Sequence, residues 1–153
     1  MLHAPLEADA EQGGGDRKQV HFVYVVDDQA ALRQSSCFLL QALGIACTQF
    51  ANGREFLAEI GHLTPGCVLL DVKMEAMDGL EVQTELKRRG FDWPIIFMSG
   101  QRDVPAVVQA VKNGAVQFLD KPFSEEQLLA ALHSGFVLLR GEGGAPEAAA
   151  ATA

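Results

Sequence analysis

Residues 68–74 read Val-Leu-Leu-Asp-Val-Lys-Met, and this stretch decides the fold. An apolar run of strand length that stops at one acid indicates a buried strand that delivers a carboxylate at its carboxyl end. In an open parallel sheet, ligands bind outside the carboxyl ends of the strands, at the point where strand order reverses. Asp71 is therefore the first candidate functional residue, and what the sheet brings beside it decides its chemistry.

Short apolar runs alternate with amphipathic segments on both sides of this strand. Strands are predicted at residues 20–26, 45–50, 68–71, 95–98 and 116–119, and helices at about 29–43, 53–63, 79–89, 104–112 and 125–139. Asn52, Asp103 and Ser124 are predicted helix caps, the last in a capping box with Gln127. This alternation predicts an α/β fold, a flavodoxin-like (βα)5 doubly wound parallel sheet with strand order 2-1-3-4-5.

The two ends of the chain differ in composition from its centre. Residues 1–18 are rich in Gly, Ala and acid, and residues 141–153 are rich in Ala, Gly and Pro. We expect a flexible lead-in at 1–18, one domain at 19–140, and a flexible tail or linker at 141–153.

Charge and hydropathy exclude several classes of function. The formal net charge is −8, which disfavours direct nucleic acid binding by this chain. No apolar run is long enough to span a membrane, and the first residues lack the basic start and apolar centre of a signal peptide. We therefore expect a cytoplasmic protein without a membrane partner.

Several residue types carry a structural interpretation. Cys37, Cys47 and Cys67 are odd in number and without CxxC spacing, which favours buried reduced thiols. The four histidines share no ligand spacing and are interpreted as surface or satisfied core residues: His3, His21, His62 and His133. Four valines at helical spacing are expected to pack in the core, with dimerisation as the alternative for any left exposed: Val104, Val107, Val108 and Val111.

Polar residues end or follow four of the five predicted strands. Asp27 and Asp28 follow the first, Asp71 ends the third, Ser99 ends the fourth, and Lys121 follows the fifth. Three carboxylates at one sheet edge would repel one another unless a cation lay among them, and Mg²⁺ suits such oxygen ligands best. A carboxylate nucleophile, a metal, a hydroxyl and a lysine together describe a centre that takes a phosphoryl group onto Asp.

The joint pattern of these motifs resembles the response-regulator receiver domain of two-component systems. The acid pair 27–28, the segment Leu-Asp-Val-Lys-Met at 70–74, Met-Ser-Gly at 98–100 and Lys-Pro-Phe at 121–123 carry the resemblance. Residues 99–105 and 110–115 are similar to FixJ-type receivers in particular. The resemblance covers about residues 20–140.

The resemblance implies a role for each site residue. Asp71 would be the phosphoacceptor, with Ser99 bonding the phosphoryl group and Lys121 pairing with it. The implied Mg²⁺ ligands are Asp28 directly, Asp27 through water, Asp71, and the backbone carbonyl of Lys73. Phe118 would be the aromatic switch residue, and the bond before Pro122 would be cis.

The resemblance also implies partners. The phosphoryl donor would be the phosphohistidine of a sensor histidine kinase or a phosphotransfer protein, and the output surface would be the fourth helix, fifth strand and fifth helix. Such a protein is not an ordinary enzyme, although it catalyses its own phosphotransfer and dephosphorylation. A phosphorylation-dependent homodimer is a further expectation.

One departure and two alternatives stay open. Glu75 stands where the family usually has proline, and we interpret it as tuning the lifetime of the phosphoryl group. The first alternative is a receiver-like module that binds partners without phosphorylation. The second, a nucleotide-binding domain, is weakened because no Gly-rich loop follows the first strand.

Overall fold

The computed structural model describes residues 21–100, 104–115 and 117–140. The predicted lead-in, the tail from residue 141, the cap at Asp103 and the start of the fifth strand at Val116 lie outside the described residues. The same holds for the side chains of Val104 and Val107.

Five parallel strands form one sheet in the order β2-β1-β3-β4-β5, which confirms the predicted topology. The strands are β1 (Phe22–Val26), β2 (Ala46–Phe50), β3 (Cys67–Asp71), β4 (Ile95–Ser99) and β5 (Gln117–Asp120). The order reverses between β1 and β3, so the switch point lies where these two strands end.

Helices follow each strand in the chain. They are α1 (Ala30–Ala42), α2 (Gly53–Glu59), α3 (Gly79–Arg88), α4 (Val104–Lys112) and α5 (Glu125–Leu139), with a 3₁₀ turn at Ile60–His62. Asn52 caps α2 by accepting from the Glu55 N–H, and Ser124 forms the predicted capping box with Gln127. Asp78 and Glu81 form a second capping box, which fixes the start of α3 directly behind the β3 loop. No helix in these described ranges is both long and apolar enough to cross a membrane.

The core lies on both faces of the sheet because successive strand side chains point to opposite sides. Tyr24 and Val26 pack with one cluster, which includes Phe56 of α2 and Leu86 of α3. The alternate residues of β1 and β3 pack with a second cluster under α1 and α5, formed by Val23, Val25, Cys67, Leu69, Leu40, Leu128, Leu132 and Phe136. The all-apolar strands of the sequence are therefore explained by burial on two faces.

The predicted reduced state of the cysteines is wrong for two of the three. Cys37 of α1 and Cys47 of β2 form a disulfide, with their Cα atoms 5.6 Å apart, and Cys67 is the free, buried thiol. The number of cysteines in the sequence does not predict this disulfide, because the bond depends on how α1 packs against the edge strand β2. Burial raises the pKa of the Cys67 thiol to about 12.

Two further interpretations need correction. Val108 and Val111 are 46% and 58% exposed, so they do not pack in the core, whereas Ala110 of the same helix is buried. The two valines lie three positions apart and share the outer face of α4. Within the described ranges His21 is not a satisfied core residue, because its ring stacks on Phe136 at 4.2 Å while its buried Nε2 has no hydrogen-bond partner in that part of the chain. Burial, followed by the charges of Arg140 and His133, lowers the pKa of His21.

Candidate functional site

Three aspartates meet at the switch point of the sheet. Asp27 and Asp28 follow β1, and Asp71 ends the adjacent strand β3, so parallel pairing brings them to one edge. One carboxylate oxygen from each lies within 4.8 Å of the others, and no other group of His, Cys, Asp or Glu in the described ranges is so arranged. Asp27 and Asp71 are buried and Asp28 is exposed, so the cluster opens to solvent on one side.

Lys121 is the positive charge of this cluster. Its Nζ lies 3.2 Å from Asp27 Oδ2 and 3.3 Å from Asp71 Oδ2, and its side chain is 12% exposed. The backbone N–H of Lys121 donates to the Ser99 carbonyl at 2.8 Å. This bond fixes the start of the β5–α5 loop to the end of β4. The sequence correctly predicted that the end of the sheet brings this lysine beside the acids.

The electrostatics of Asp71 follow from its surroundings. Burial and the charge of Asp27 raise the pKa of Asp71 to about 7, against the opposing pull of Lys121. The carboxylate of Asp71 is thus disfavoured where no second cation is present. A group bringing positive charge to the three acids would favour the ionised, nucleophilic form.

The junction between β1 and α1 holds two residues that sequence reasoning missed. Gln29 donates its backbone N–H to Asp27 Oδ1 at 2.9 Å, and its side-chain Oε1 accepts from Lys121 Nζ at 3.0 Å. Arg33 donates from Nη1 to the Asp27 carbonyl at 2.8 Å and from Nε to Gln49 Oε1 at 3.1 Å. Their only sequence signal is position, since both lie within one or two helical turns of the acid pair.

The loop between β3 and α3 forms the open side of the site. A cleft of about 410 Å³ is lined by Asp28, Val72, Lys73, Met74, Glu75, Asp78 and Leu80. The Glu75 N–H donates to Asp28 Oδ2 at 3.2 Å, and Ala76 adopts a left-handed backbone with φ of 69°. Gly79 lies against the Asp71 carbonyl so closely that any Cβ there would collide with it. The backbone N–H of Glu75 therefore orients a candidate metal ligand.

The remaining sequence-predicted residues lie around the same edge. Ser99 is buried at the end of β4, next to Asp71 on β3. Phe118 is half-buried on β5 and stacks on Phe97 with ring centroids 5.7 Å apart. The Lys121–Pro122 peptide bond is cis.

The donor set suits a divalent cation. Three carboxylates with oxygens this close carry more negative charge than the single Lys121 ammonium balances, and hard cations such as Mg²⁺ prefer oxygen ligands. The exposed Asp28 and the adjoining cleft leave room for the water that Mg²⁺ retains. The acidic pocket of Asp27, Asp28 and Asp71 could thus bind a metal.

Comparison with known proteins agrees with this geometry. Residues 23–133 match the response regulator receiver domain family. The response regulator protein TmoT of Ectopseudomonas mendocina is 41% identical over 120 residues, which cover 78% of this chain and 54% of that protein. The transcriptional regulatory protein FixJ of Bradyrhizobium diazoefficiens is 43% identical over 112 residues, which cover 73% of this chain and 55% of that protein.

A solved structure shows the same likeness. FixJ-N superposes with a TM-score of 0.74 at 32% identity, covering 77% of this chain and 94% of that one. The chain spans about half the length of the curated relatives it matches. The chain belongs to the response regulator receiver domain family, whose members act in two-component signalling.

Proposed function

We propose that this receiver domain takes a phosphoryl group onto Asp71 from the phosphohistidine of a sensor histidine kinase or a phosphotransfer protein. The observation that carries the proposal is the meeting of three carboxylates and Lys121 at the end of β1 and β3. In the transfer, a carboxylate oxygen of Asp71 forms a bond to phosphorus, the bond from phosphorus to the donor nitrogen breaks, and the histidine ring leaves.

Each neighbouring group has a part in this step. The Lys121 ammonium pairs with an oxygen of the incoming group, and the Ser99 hydroxyl donates a hydrogen bond to another. Asp27, Asp28, Asp71 and the Lys73 backbone carbonyl would hold Mg²⁺. When bound, Mg²⁺ supplies the positive charge that neutralises the phosphoryl oxygens.

We further propose that phosphorylation changes the surface formed by α4, β5 and α5. Ser99 lies at the end of β4, between Asp71 and this surface in the sheet order, and Phe118 belongs to the surface itself. Such a domain catalyses its own phosphorylation and dephosphorylation without being an ordinary enzyme. The net charge of −8 supports a role of this chain without direct DNA contact. The cytoplasm, where the kinase would act, is the proposed location.

Exposed Val108 and Val111 support a phosphorylation-dependent homodimer through α4. Sedimentation with and without a phosphoryl mimic tests this, and equal sedimentation would count against it. Val111→Glu should hold the mimic-bound protein as a monomer, because it places like charges across a symmetric contact.

Intact mass after incubation with acetyl phosphate tests the proposed function. The wild type should gain one phosphoryl group only with Mg²⁺ present, and Asp71→Asn should gain none. A folded wild type that gains nothing with Mg²⁺ would instead favour the module that binds partners without phosphorylation.

A further inference from the structure

Among the described residues, the Lys121 ammonium has three acceptors, of which two are charged. Asp27 Oδ2 and Asp71 Oδ2 lie 3.2 and 3.3 Å from Nζ, and the neutral Gln29 Oε1 lies at 3.0 Å. An ammonium carries three protons, so this set uses every donor of Lys121.

Gln29 contacts two charged residues of the site, Asp27 and Lys121. Its backbone N–H donates to Asp27 Oδ1, while its side chain reaches the loop after β5, 92 positions along the chain. Arg33, one turn further along α1, donates to the Asp27 carbonyl and strengthens this junction. These contacts fix the backbone at Gln29 to the end of β1, and its side chain reaches Lys121 from that fixed position.

The two charged acceptors of Lys121 have further parts in the proposed reaction, one as the phosphoacceptor and the other in the acidic group. An Asp71 oxygen that bonds to phosphorus loses its carboxylate charge, and Asp27 belongs to the acidic group that suits a cation. The Gln29 amide oxygen is neutral throughout and forms no bond in the reaction. Among these three acceptors, only Gln29 neither bonds to phosphorus nor belongs to the acidic group, so we expect its contact with the flexible lysine to persist through the transfer.

We propose that Gln29 is a positioning residue for Lys121, and that its side-chain oxygen keeps the ammonium aimed at the phosphoryl group during transfer. The inference rests on the proposed function of Asp71. Gln29 moves no proton and makes no covalent bond; when acetyl phosphate is the donor, Asp71 forms the bond to phosphorus and acetate leaves. Its effect is preorganisation, because a lysine held in place needs no reorientation at the moment of transfer.

Gln29→Leu removes the acceptor while keeping a side chain of similar size. With acetyl phosphate and saturating Mg²⁺, we expect Asp71 phosphorylation to slow by about threefold to tenfold, the loss typical of one hydrogen bond. Gln41→Leu is the matched control, because Gln41 lies on the same helix and bonds the Cys47 carbonyl far from Lys121. The control should react at the wild-type rate.

Two measurements separate positioning from a general structural defect. In a Lys121→Ala background, Gln29→Leu should cost nothing further, since the lysine it orients is gone. In NMR spectra without phosphodonor or Mg²⁺, the Lys121 ammonium cross-peak should be visible in the wild type and in Gln41→Leu, and broadened or lost in Gln29→Leu.

The inference is overturned if Gln29→Leu reacts like Gln41→Leu while the wild type is phosphorylated. It is equally overturned if the same loss of rate persists in the Lys121→Ala background or if the ammonium cross-peak does not change. A wild type that takes up no phosphoryl group overturns the proposed function and the inference together, so the two failures are distinguishable.

Discussion

The surroundings of Asp71 disfavour its ionised form, and the proposed function explains why an acid occupies this position. Burial and Asp27 raise its pKa to about 7, so between about pH 4 and 7 the native protein binds more protons at this group than the unfolded chain does. Stability without metal should therefore fall as pH rises through this window. A cation among the three acids would lower this cost in stability, and so would esterification of Asp71, which moves the negative charge from the buried carboxylate onto the phosphoryl oxygens.

Asp71→Asn should remove this pH dependence. At pH 7 without Mg²⁺ we expect the variant to be more stable than wild type by about 4 kcal/mol, with the difference vanishing below about pH 4. Urea denaturation across pH measures it, and added Mg²⁺ should stabilise the wild type more than Asp71→Asn. Asp92→Asn, at an exposed acid outside the site, serves as control. Equal stability of Asp71→Asn and wild type at pH 7 would contradict the raised pKa of Asp71.

The backbone of Glu75 contacts the candidate metal ligand Asp28. Glu75→Pro removes the N–H that donates to Asp28 Oδ2, whereas Glu75→Ala keeps it. We expect Glu75→Pro to change Mg²⁺ affinity or the dephosphorylation rate by about threefold or more. Any change in the same two quantities in Glu75→Ala measures the contribution of the side chain, because this variant keeps the N–H. Calorimetric Mg²⁺ titration and loss of phosphoprotein by mass measure the two quantities. If Glu75→Pro changes neither, the tuning role of this position is wrong.

At the scale of elements, the disulfide ties α1 to the edge strand β2. Cys37 and Cys47 are separated by 10 positions, and a cross-link closing so short a loop should stabilise the fold by about 2–3 kcal/mol. The Cys37→Ser/Cys47→Ser double variant should unfold at lower urea, and a reductant should affect wild type but not this variant.

Thiol counting checks the disulfide itself. Alkylation of the unfolded, unreduced wild type should label one thiol, Cys67, and alkylation after reduction should label all three cysteines. Three labelled thiols before reduction would restore the expectation of reduced cysteines.

Gly79 sets the distance between α3 and the end of β3. An added Cβ would collide with the Asp71 carbonyl oxygen and lie 3.0 Å from a Phe97 ring carbon. Gly79→Ala should cost about 1–3 kcal/mol and slow phosphorylation, because the loop carrying Lys73 and Glu75 must shift. Gly61→Ala is the control, since a Cβ there meets nothing within 4 Å. Urea midpoints and acetyl phosphate rates measure both effects, and equal behaviour of the two variants would contradict this view of the loop.

In the molecule as a whole, the sequence predicted the strands, their order and the meeting of the acids, because these features depend on strand periodicity and topology. Five apolar runs fixed the strands, and the order of a doubly wound sheet brought Asp27, Asp28 and Asp71 to one edge. Lys121 followed for the same reason, because it lies just past the last strand.

What the sequence could not predict depends on how side chains of separate elements meet. The Cys37–Cys47 bond and the Gln29–Lys121 contact both require the orientation of α1 against its neighbours. Val108 and Val111 show the limit of periodicity, which identifies the faces of a helix but not which of them the sheet covers.

We expect Asp71 to take the phosphoryl group, and its acidic neighbours Asp27 and Asp28 to remain unmodified. Borohydride reduces an acyl phosphate to an alcohol, so treatment of acetyl-phosphate-labelled protein converts the phosphorylated aspartate to homoserine, which peptide mass spectrometry locates. We expect homoserine at position 71 in samples with Mg²⁺ and at no position without it. Homoserine at position 27 or 28, or none in folded protein with Mg²⁺, would contradict it.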